Sequence, residues 1–83
     1  MTKAWRITIK GWPEFEMIWP GETRGKAIAS ACQDCQSSGW GYGFIDFRAV
    51  RAPEHDATAQ ETEGKYPWCI GWRDGGEVWG VLD

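Results

Sequence analysis

The fold is decided by residues 4–19, which read AWRITIKGWPEFEMIW. Apolar and polar residues alternate through 4–10 and again through 14–19, which is typical of β-strands with one buried face. Gly11-Trp12-Pro13 between them indicates a turn. The pattern therefore predicts a hairpin whose apolar pairs share one face, namely Ile9 with Phe15, Ile7 with Met17, and Trp5 with Trp19.

A helix is predicted directly after this hairpin. Thr23 is suited to cap a helix over Arg24–Ser37, and Gly39 is suited to close it. The apolar stripe of this helix is small in volume, so the helix can pack close to a sheet that supplies the large aromatic side chains. The stripe consists of Ala27, Ile28, Ala31, Cys32 and Cys35.

Three further strands are predicted in the second half of the chain. The first covers 44–51, with Ile45, Phe47 and Ala49 facing inward. Residues 52–65 show no periodicity and are predicted to form a mobile, structureless loop. Strands at 66–72 and 77–82 follow, joined around the turn signal Asp74-Gly75-Gly76. Their pattern places one set of residues on a single face, namely Trp68, Ile70, Trp72, Trp79 and Val81.

These elements predict one α+β domain over residues 1–83, an antiparallel sheet in the sequence order β-β-α-β-β-β with one helix packed across a face. The composition, 42% hydrophobic and 25% charged, is typical of a globular domain. The start has no signal-peptide pattern, and no apolar run reaches the roughly 20 residues of a membrane span. An odd number of cysteines fits a reducing compartment, so we expect a cytoplasmic protein that does not contact a membrane.

Seven of the 83 residues are tryptophan, more than a small core readily buries. Tryptophan is enriched among the residues that dominate binding interfaces. Trp12 and Trp40 lie in predicted turns and are therefore our candidates for exposed partner-binding anchors. The sequence leaves open whether the aromatic face of the last hairpin meets the helix or a partner.

The acidic residues of 52–65 form a second set of candidate partner contacts, because they could meet a basic nucleic-acid-binding groove of a partner. The alternative is that one of Arg48 and Arg51 pairs with a carboxylate of this segment and pins it to the sheet. The candidate contacts are Glu54, Asp56, Glu61 and Glu63.

A weaker anion-binding site is predicted at the start of the helix, where cations oppose the helix dipole. Together with two arginines of the third strand, these residues define an alternative function, a small nucleic-acid-binding accessory protein. The net charge of −3 counts against a general DNA binder. The candidate residues are Thr23, Arg24, Lys26, Arg48 and Arg51.

A metal site and catalysis are both disfavoured. Cys32-Gln33-Asp34-Cys35 has the spacing of a zinc-binding pair, and His55 and Cys69 would complete four ligands of a zinc-stabilised module. The pair lies inside a helix, however, where small buried apolar residues are expected. The sequence offers no nucleophile with a matched base, so we expect no enzyme activity and no cofactor.

The run Glu22-Thr23-Arg24-Gly25-Lys26-Ala27 follows a Trp-containing hairpin and precedes a helix bearing Asp34 and then Arg48-x-x-Arg51. Across residues 1–55 this pattern resembles small orphan proteins of phages and prophages, a group that includes anti-CRISPR proteins. The resemblance implies a non-enzymatic inhibitor of a host CRISPR-Cas or other defence complex. Such a protein would bind a host protein or ribonucleoprotein and block its nucleic-acid-binding surface, as a monomer or a homodimer.

Overall fold

An antiparallel sheet of five strands forms the frame of the described part of the chain. The computed structural model describes residues 2–65 and 67–74 in full and the backbone of residues 79–81. The strands are β1 (Lys3–Ile9), β2 (Trp12–Gly21), β3 (Phe47–Arg51), β4 (Gly71–Asp74) and β5 (Trp79–Val81), and they lie in the order β3-β1-β2-β4-β5. The predicted α+β class is confirmed, and so is the order β-β-α-β-β-β of the strands and the first helix.

The hairpin of β1 and β2 forms as predicted over most of its length. Trp5 lies opposite Trp19 and Ile7 lies opposite Met17. The third predicted pair is wrong, because the register shifts after Thr8 and Ile9 lies opposite Trp12 instead of Phe15. The turn is consequently tighter than predicted. It is closed by Gly11 at a φ of +87°, a left-handed conformation that favours glycine.

Helix α1 (Arg24–Ser37) packs across the face of the sheet that carries Ile7 and Met17, which we call the α1 side. The Thr23 hydroxyl accepts a hydrogen bond from the Lys26 N–H at 3.2 Å, as predicted for the cap. Gly21 allows the close approach, because a Cβ at that position would lie 2.8 Å from the Ala27 backbone nitrogen. The predicted stripe is confirmed, since the buried residues of α1 are Ala27, Ile28, Ala31, Cys32 and Cys35.

The third strand is shorter than predicted. Phe44–Asp46 forms a 3₁₀ turn, and β3 begins only at Phe47. The Asp46 carboxylate closes this turn by accepting a hydrogen bond from the Gly43 N–H at 2.8 Å. Ile45 was predicted to face inward but is 90% exposed, whereas Phe47 and Ala49 are buried as predicted.

Residues 52–65 are not structureless, which corrects the prediction for this segment. A 3₁₀ turn at Pro53–His55 leads into a short helix, α2 (Asp56–Gln60). Helix α2 covers the face of the sheet opposite α1, which we call the α2 side, so each face of the sheet has its own helix. A second small core forms there from Ala4, Ile18, Ala52, Ala59 and Ile70.

Strands β4 and β5 pair as predicted, but β4 covers only Gly71–Asp74 where a strand over 66–72 was predicted, and the pairing is one residue out of the predicted register. Trp72 lies opposite Gly80, and Arg73 lies opposite Trp79, so Trp72 and Trp79 are not aligned on one face. Ile70 also departs from the prediction, because it packs on the α2 side while Trp72 lies opposite Met17 of the α1 side. The predicted turn at Gly75-Gly76 lies outside the described residues.

Candidate functional site

An open apolar cleft of about 510 Å³ lies on the α1 side, between the C-terminal half of α1, strand β2 and the segment that leads into β4. Five aromatic side chains line it, and we call it the aromatic cleft. Volumes of this size are typical of protein binding sites. The aromatic residues are Phe15, Trp19, Trp40, Trp68 and Trp72.

The floor of the aromatic cleft is a closed apolar surface. Trp19 is only 3% exposed, and its indole N–H donates to the Met17 sulfur at 3.4 Å. Because this polar group has a partner within the protein, the floor offers apolar contact to whatever enters the cleft. The binding chemistry of the floor is therefore hydrophobic.

The wall formed by the segment before β4 and by β4 itself is more accessible. Trp72 is 41% exposed, and Trp68 is half-buried. Both residues belong to the predicted aromatic face of the last hairpin, for which the sequence left open a helix or a partner. They lie beside α1 without being fully covered by the described residues, so their rings are available for contact.

Two thiols line the cleft, and both are held in the neutral form. Burial raises the pKa of Cys35 to about 11, and the neighbouring Asp34 carboxylate acts in the same direction. Burial also raises the pKa of Cys69 to about 11, and its thiol donates to the Gly71 carbonyl at 3.3 Å. Since the thiolate is the reactive species, these cysteines contribute apolar surface to the cleft at neutral pH and are poor nucleophiles.

The rim of the cleft carries an exposed carboxylate. Asp34 lies in the last turn of α1, where the helix dipole disfavours negative charge, and that turn contains no basic residue. None of the four ion pairs formed between the described residues includes Asp34. The rim is therefore electronegative, and it favours a cation beside any apolar group that enters.

Trp12 and Trp40 are half-buried, so they are less exposed than the sequence predicted. The centroids of the two rings lie 5.5 Å apart. The Phe15 ring packs against both, with its centroid 4.6 Å from that of Trp12 and 5.6 Å from that of Trp40. Tyr42 extends this group at 6.2 Å from Trp40. The aromatic cluster of Trp12, Phe15, Trp40 and Tyr42 closes one end of the core, and Trp40 also borders the cleft.

Three of the four acidic candidates of 52–65 form hydrogen bonds within the chain. Glu54 pairs with Arg6 at 2.8 Å, and Glu63 accepts from the Thr2 backbone N–H at 2.5 Å. Asp56 accepts from both terminal nitrogens of Arg51, at 2.9 and 2.8 Å, and from the Ala4 N–H at 2.8 Å. The alternative in which Arg51 pins this segment is confirmed. The fourth residue, Glu61, is exposed.

The pairing of Asp56 with Arg51 makes the stability of the protein depend on pH. The hydrogen bond from Arg51, helped by the Ala4 N–H, lowers the pKa of Asp56 from 3.8 to about 2. A carboxylate whose pKa falls on folding stabilises the protein fully above about pH 4, and this contribution is lost as the pH falls towards the folded-state pKa. Asp56→Asn should therefore lower the urea midpoint at pH 7 and flatten its decline between about pH 4 and pH 2.

Urea unfolding at closely spaced pH values from 2 to 7 measures this effect. Glu61→Gln is the matched control, because within the described residues the Glu61 side chain forms no hydrogen bond or ion pair. Some acid sensitivity should remain in Asp56→Asn, since hydrogen bonds also lower the pKa of Glu54 and Glu63. An acid-side decline equally steep in Asp56→Asn and the unmodified protein would contradict this role.

The predicted anion-binding residues are only partly brought together. Thr23 is occupied as the helix cap, and Lys26 pairs with Glu22 at 3.6 Å. Arg51 is held by Asp56. The remaining pair, Arg24 and Arg48, lies on either side of a groove of about 410 Å³ between the first turns of α1 and strand β3.

The candidate zinc ligands do not form a site. Cys32 and Cys35 belong to the core of the α1 side, and Cys69 packs against it, whereas His55 belongs to the 3₁₀ turn before α2. Within residues 2–65, 67–74 and 79–81, no three His, Cys, Asp or Glu side chains are arranged to hold a metal ion. The Cys-x-x-Cys spacing reflects two buried positions on one helix face.

Comparison with protein-family models, with curated proteins and with solved structures finds no match to this chain. None of the described helices is long and apolar enough to cross a membrane.

Proposed function

We propose that this chain is a non-enzymatic protein-binding module whose aromatic cleft receives an apolar side chain of a partner protein. The observation that carries the proposal is the cleft itself, with Trp72 and Trp68 left accessible above a buried apolar floor. Aromatic residues around a central pocket are typical of the positions that dominate protein–protein affinity. The neutral thiols in the cleft favour binding over covalent catalysis.

The chemistry of the cleft specifies the kind of group it would receive. Small-molecule sites usually combine an apolar pocket with several converging polar groups. Here Asp34 and Ser38 are the lining residues with a carboxylate or hydroxyl group, and both are at the end of α1. An aliphatic or aromatic side chain next to a lysine or arginine matches this arrangement, because the cation would lie near Asp34.

We extend the proposal to a phage-encoded inhibitor that acts in the host cytoplasm on a CRISPR-Cas or other defence complex. The resemblance of residues 22–27, Asp34, Arg48 and Arg51 to small phage proteins supports this extension. The three free cysteines fit a reducing compartment. A basic nucleic-acid-binding surface of a host effector would supply the cation that the rim of the cleft favours.

Site-specific photo-crosslinking in host cells tests the proposal. We expect a benzophenone amino acid in place of Trp72 to capture one host protein, and the same group in place of Phe44 to capture none. Phe44 is a matched control, because it is an exposed aromatic residue outside the cleft. The captured protein is then purified and its affinity measured with the unmodified chain and two variants.

Trp72→Ser should weaken this purified complex about 30-fold, because interface anchors contribute roughly 2 kcal/mol or more. Phe44→Ser should change the affinity by less than about twofold, because truncating a residue that is not an interface anchor has little effect on affinity. Circular dichroism and the thermal midpoint confirm that both variants fold. Equal capture from both positions, or equal affinity of the two variants, would refute the proposed role of the cleft.

A further inference from the structure

Strand β3 lies at one edge of the sheet, and its outer side faces the groove that contains Arg24 and Arg48. Its hydrogen bonds to β1 establish which backbone groups face outward. Lys10 N–H donates to the Asp46 carbonyl at 2.7 Å at one end of the pairing, and Ala52 N–H donates to the Ala4 carbonyl at 3.0 Å at the other. In an antiparallel pair, successive residues alternate between bonding the neighbour and facing away.

This alternation turns the backbone groups of Arg48 and Val50 towards β1 and those of Ala49 and Arg51 away from it. The outward N–H and C=O groups run along the groove, which is lined by β3 and by Arg24 and Ile28 of α1. An edge with unpaired backbone groups is a template for another strand. No strand of the described residues pairs with that edge, although Ala49 on it is only 6% exposed.

The charges beside the edge indicate what kind of strand would bind. Arg24 and Arg48 are exposed, and neither takes part in the four ion pairs of the described residues. The groove also has apolar lining, because Ile28 borders it and Val50 is 59% exposed. A second copy pairing through β3 would bring four arginines to one edge, so like-charge repulsion disfavours a homodimer there.

We infer that β3 binds an extended acidic segment of a partner protein by strand addition. Backbone hydrogen bonds to Ala49 and Arg51 would supply affinity, and carboxylates at the two ends of an apolar segment would meet Arg24 and Arg48. This surface shares no residue with the aromatic cleft. The inference therefore stands independently of the proposed function.

Two labelled peptides of opposite charge test the inference, EVTVTVE and KVTVTVK. Fluorescence anisotropy should give a dissociation constant below 1 mM for EVTVTVE. The dissociation constant of KVTVTVK should be at least about tenfold higher, which corresponds to one charge-dependent contact. The double variant Arg24→Glu, Arg48→Glu should reverse this preference. Lys3→Glu, Lys65→Glu carries the same change in net charge away from the groove and should preserve it.

Amide hydrogen exchange locates the bound peptide. In the free protein the amides of Ala49 and Arg51 should exchange faster than those of Arg48 and Val50. EVTVTVE at ten times its dissociation constant should slow the exchange of the Ala49 and Arg51 amides about tenfold. The Trp72→Ser variant should show the same protection.

Several results would overturn the inference. They are an absence of EVTVTVE binding at 1 mM, equal affinity for the two peptides, protection elsewhere than at the outward amides, and a β3-mediated dimer in sedimentation. Tighter binding of a single-stranded oligonucleotide, lost on reversal of the two arginines, would likewise assign the groove to nucleic acid instead.

Discussion

Replacing Trp12 and Trp40 together by alanine should lower the free energy of unfolding by about 3 kcal/mol or more. Truncating a fully buried tryptophan costs roughly 3–5 kcal/mol, and these two rings are half-buried. They contact each other and Phe15 at ring distances between 4.6 and 5.6 Å. A chain of 83 residues has a total stability of about 4–12 kcal/mol, so the double variant would lose roughly a quarter to three quarters of it.

Urea titration followed by circular dichroism measures this loss. The control is Phe44→Ala with Ile45→Ala, which removes apolar side chains that are 50% and 90% exposed and should cost less than about 1 kcal/mol. Exposed anchors, as the sequence predicted for this tryptophan pair, would instead leave the stability nearly unchanged. If the double tryptophan variant keeps the stability of the unmodified protein, the aromatic cluster is not structural and the rings are free to bind a partner.

Gly21→Ala should destabilise the protein by about 1–3 kcal/mol, the usual cost of forcing extra volume into a packed site. The added Cβ would lie 2.8 Å from the Ala27 nitrogen and 3.0 Å from its Cα. These are backbone atoms of α1, so the contact can be relieved only by moving the helix away from the sheet. The Gly21 carbonyl also accepts the Trp5 indole N–H at 3.0 Å, and that bond would be disturbed.

Gly25→Ala is the matched control, because a Cβ there meets no atom within 4 Å. Alanine favours a helix over glycine by up to about 1 kcal/mol, so the control should be neutral or slightly stabilising. Thermal unfolding of both variants decides the matter. Equal midpoints for Gly21→Ala and Gly25→Ala would mean that the close approach of α1 to β2 is not a constraint on the fold.

Local patterns in the sequence were sufficient to predict the first half of the fold. The alternation of 4–19 predicted the hairpin, because alternate residues of a strand point to the same face and the apolar set must face the core. The five small residues of α1 are the buried residues of that helix, since helical spacing determines which side faces a sheet. The misplaced pair was Ile9 with Phe15, where a tight turn at Gly11 and a shifted register replaced simple alignment.

The second half was less predictable, because competing local interactions interrupt the alternation. The Asp46 side chain closes a 3₁₀ turn and thereby exposes Ile45. Helix α2 has five residues, too few for a clear periodic signal, and it is held by long-range contacts such as that of Asp56 with Ala4. A shift of one residue in a hairpin exchanges its faces, which is why the predicted alignment of Trp72 with Trp79 was wrong.

The candidate site was harder to predict than the fold. The aromatic cleft combines residues from β2, α1 and the segment before β4, and their meeting depends on tertiary packing. Exposure was inferred from turn positions, yet Trp12 and Trp40 lie in the aromatic cluster. One signal was available, because Asp34 in the last turn of α1 opposes the helix dipole, and such conflicts with local preference often mark functional positions.

The spectrum of the indole N–H groups tests binding in the aromatic cleft directly, measured with ¹⁵N-labelled protein and the purified partner that crosslinking identified. Each tryptophan gives its own signal, assigned by single substitutions. The Trp68 and Trp72 signals should shift on binding, because both rings line the cleft. The Trp5 signal should not, because that indole N–H is bonded to the Gly21 carbonyl away from the cleft. Unchanged Trp68 and Trp72 signals in a saturated complex would show that the partner does not bind in the cleft.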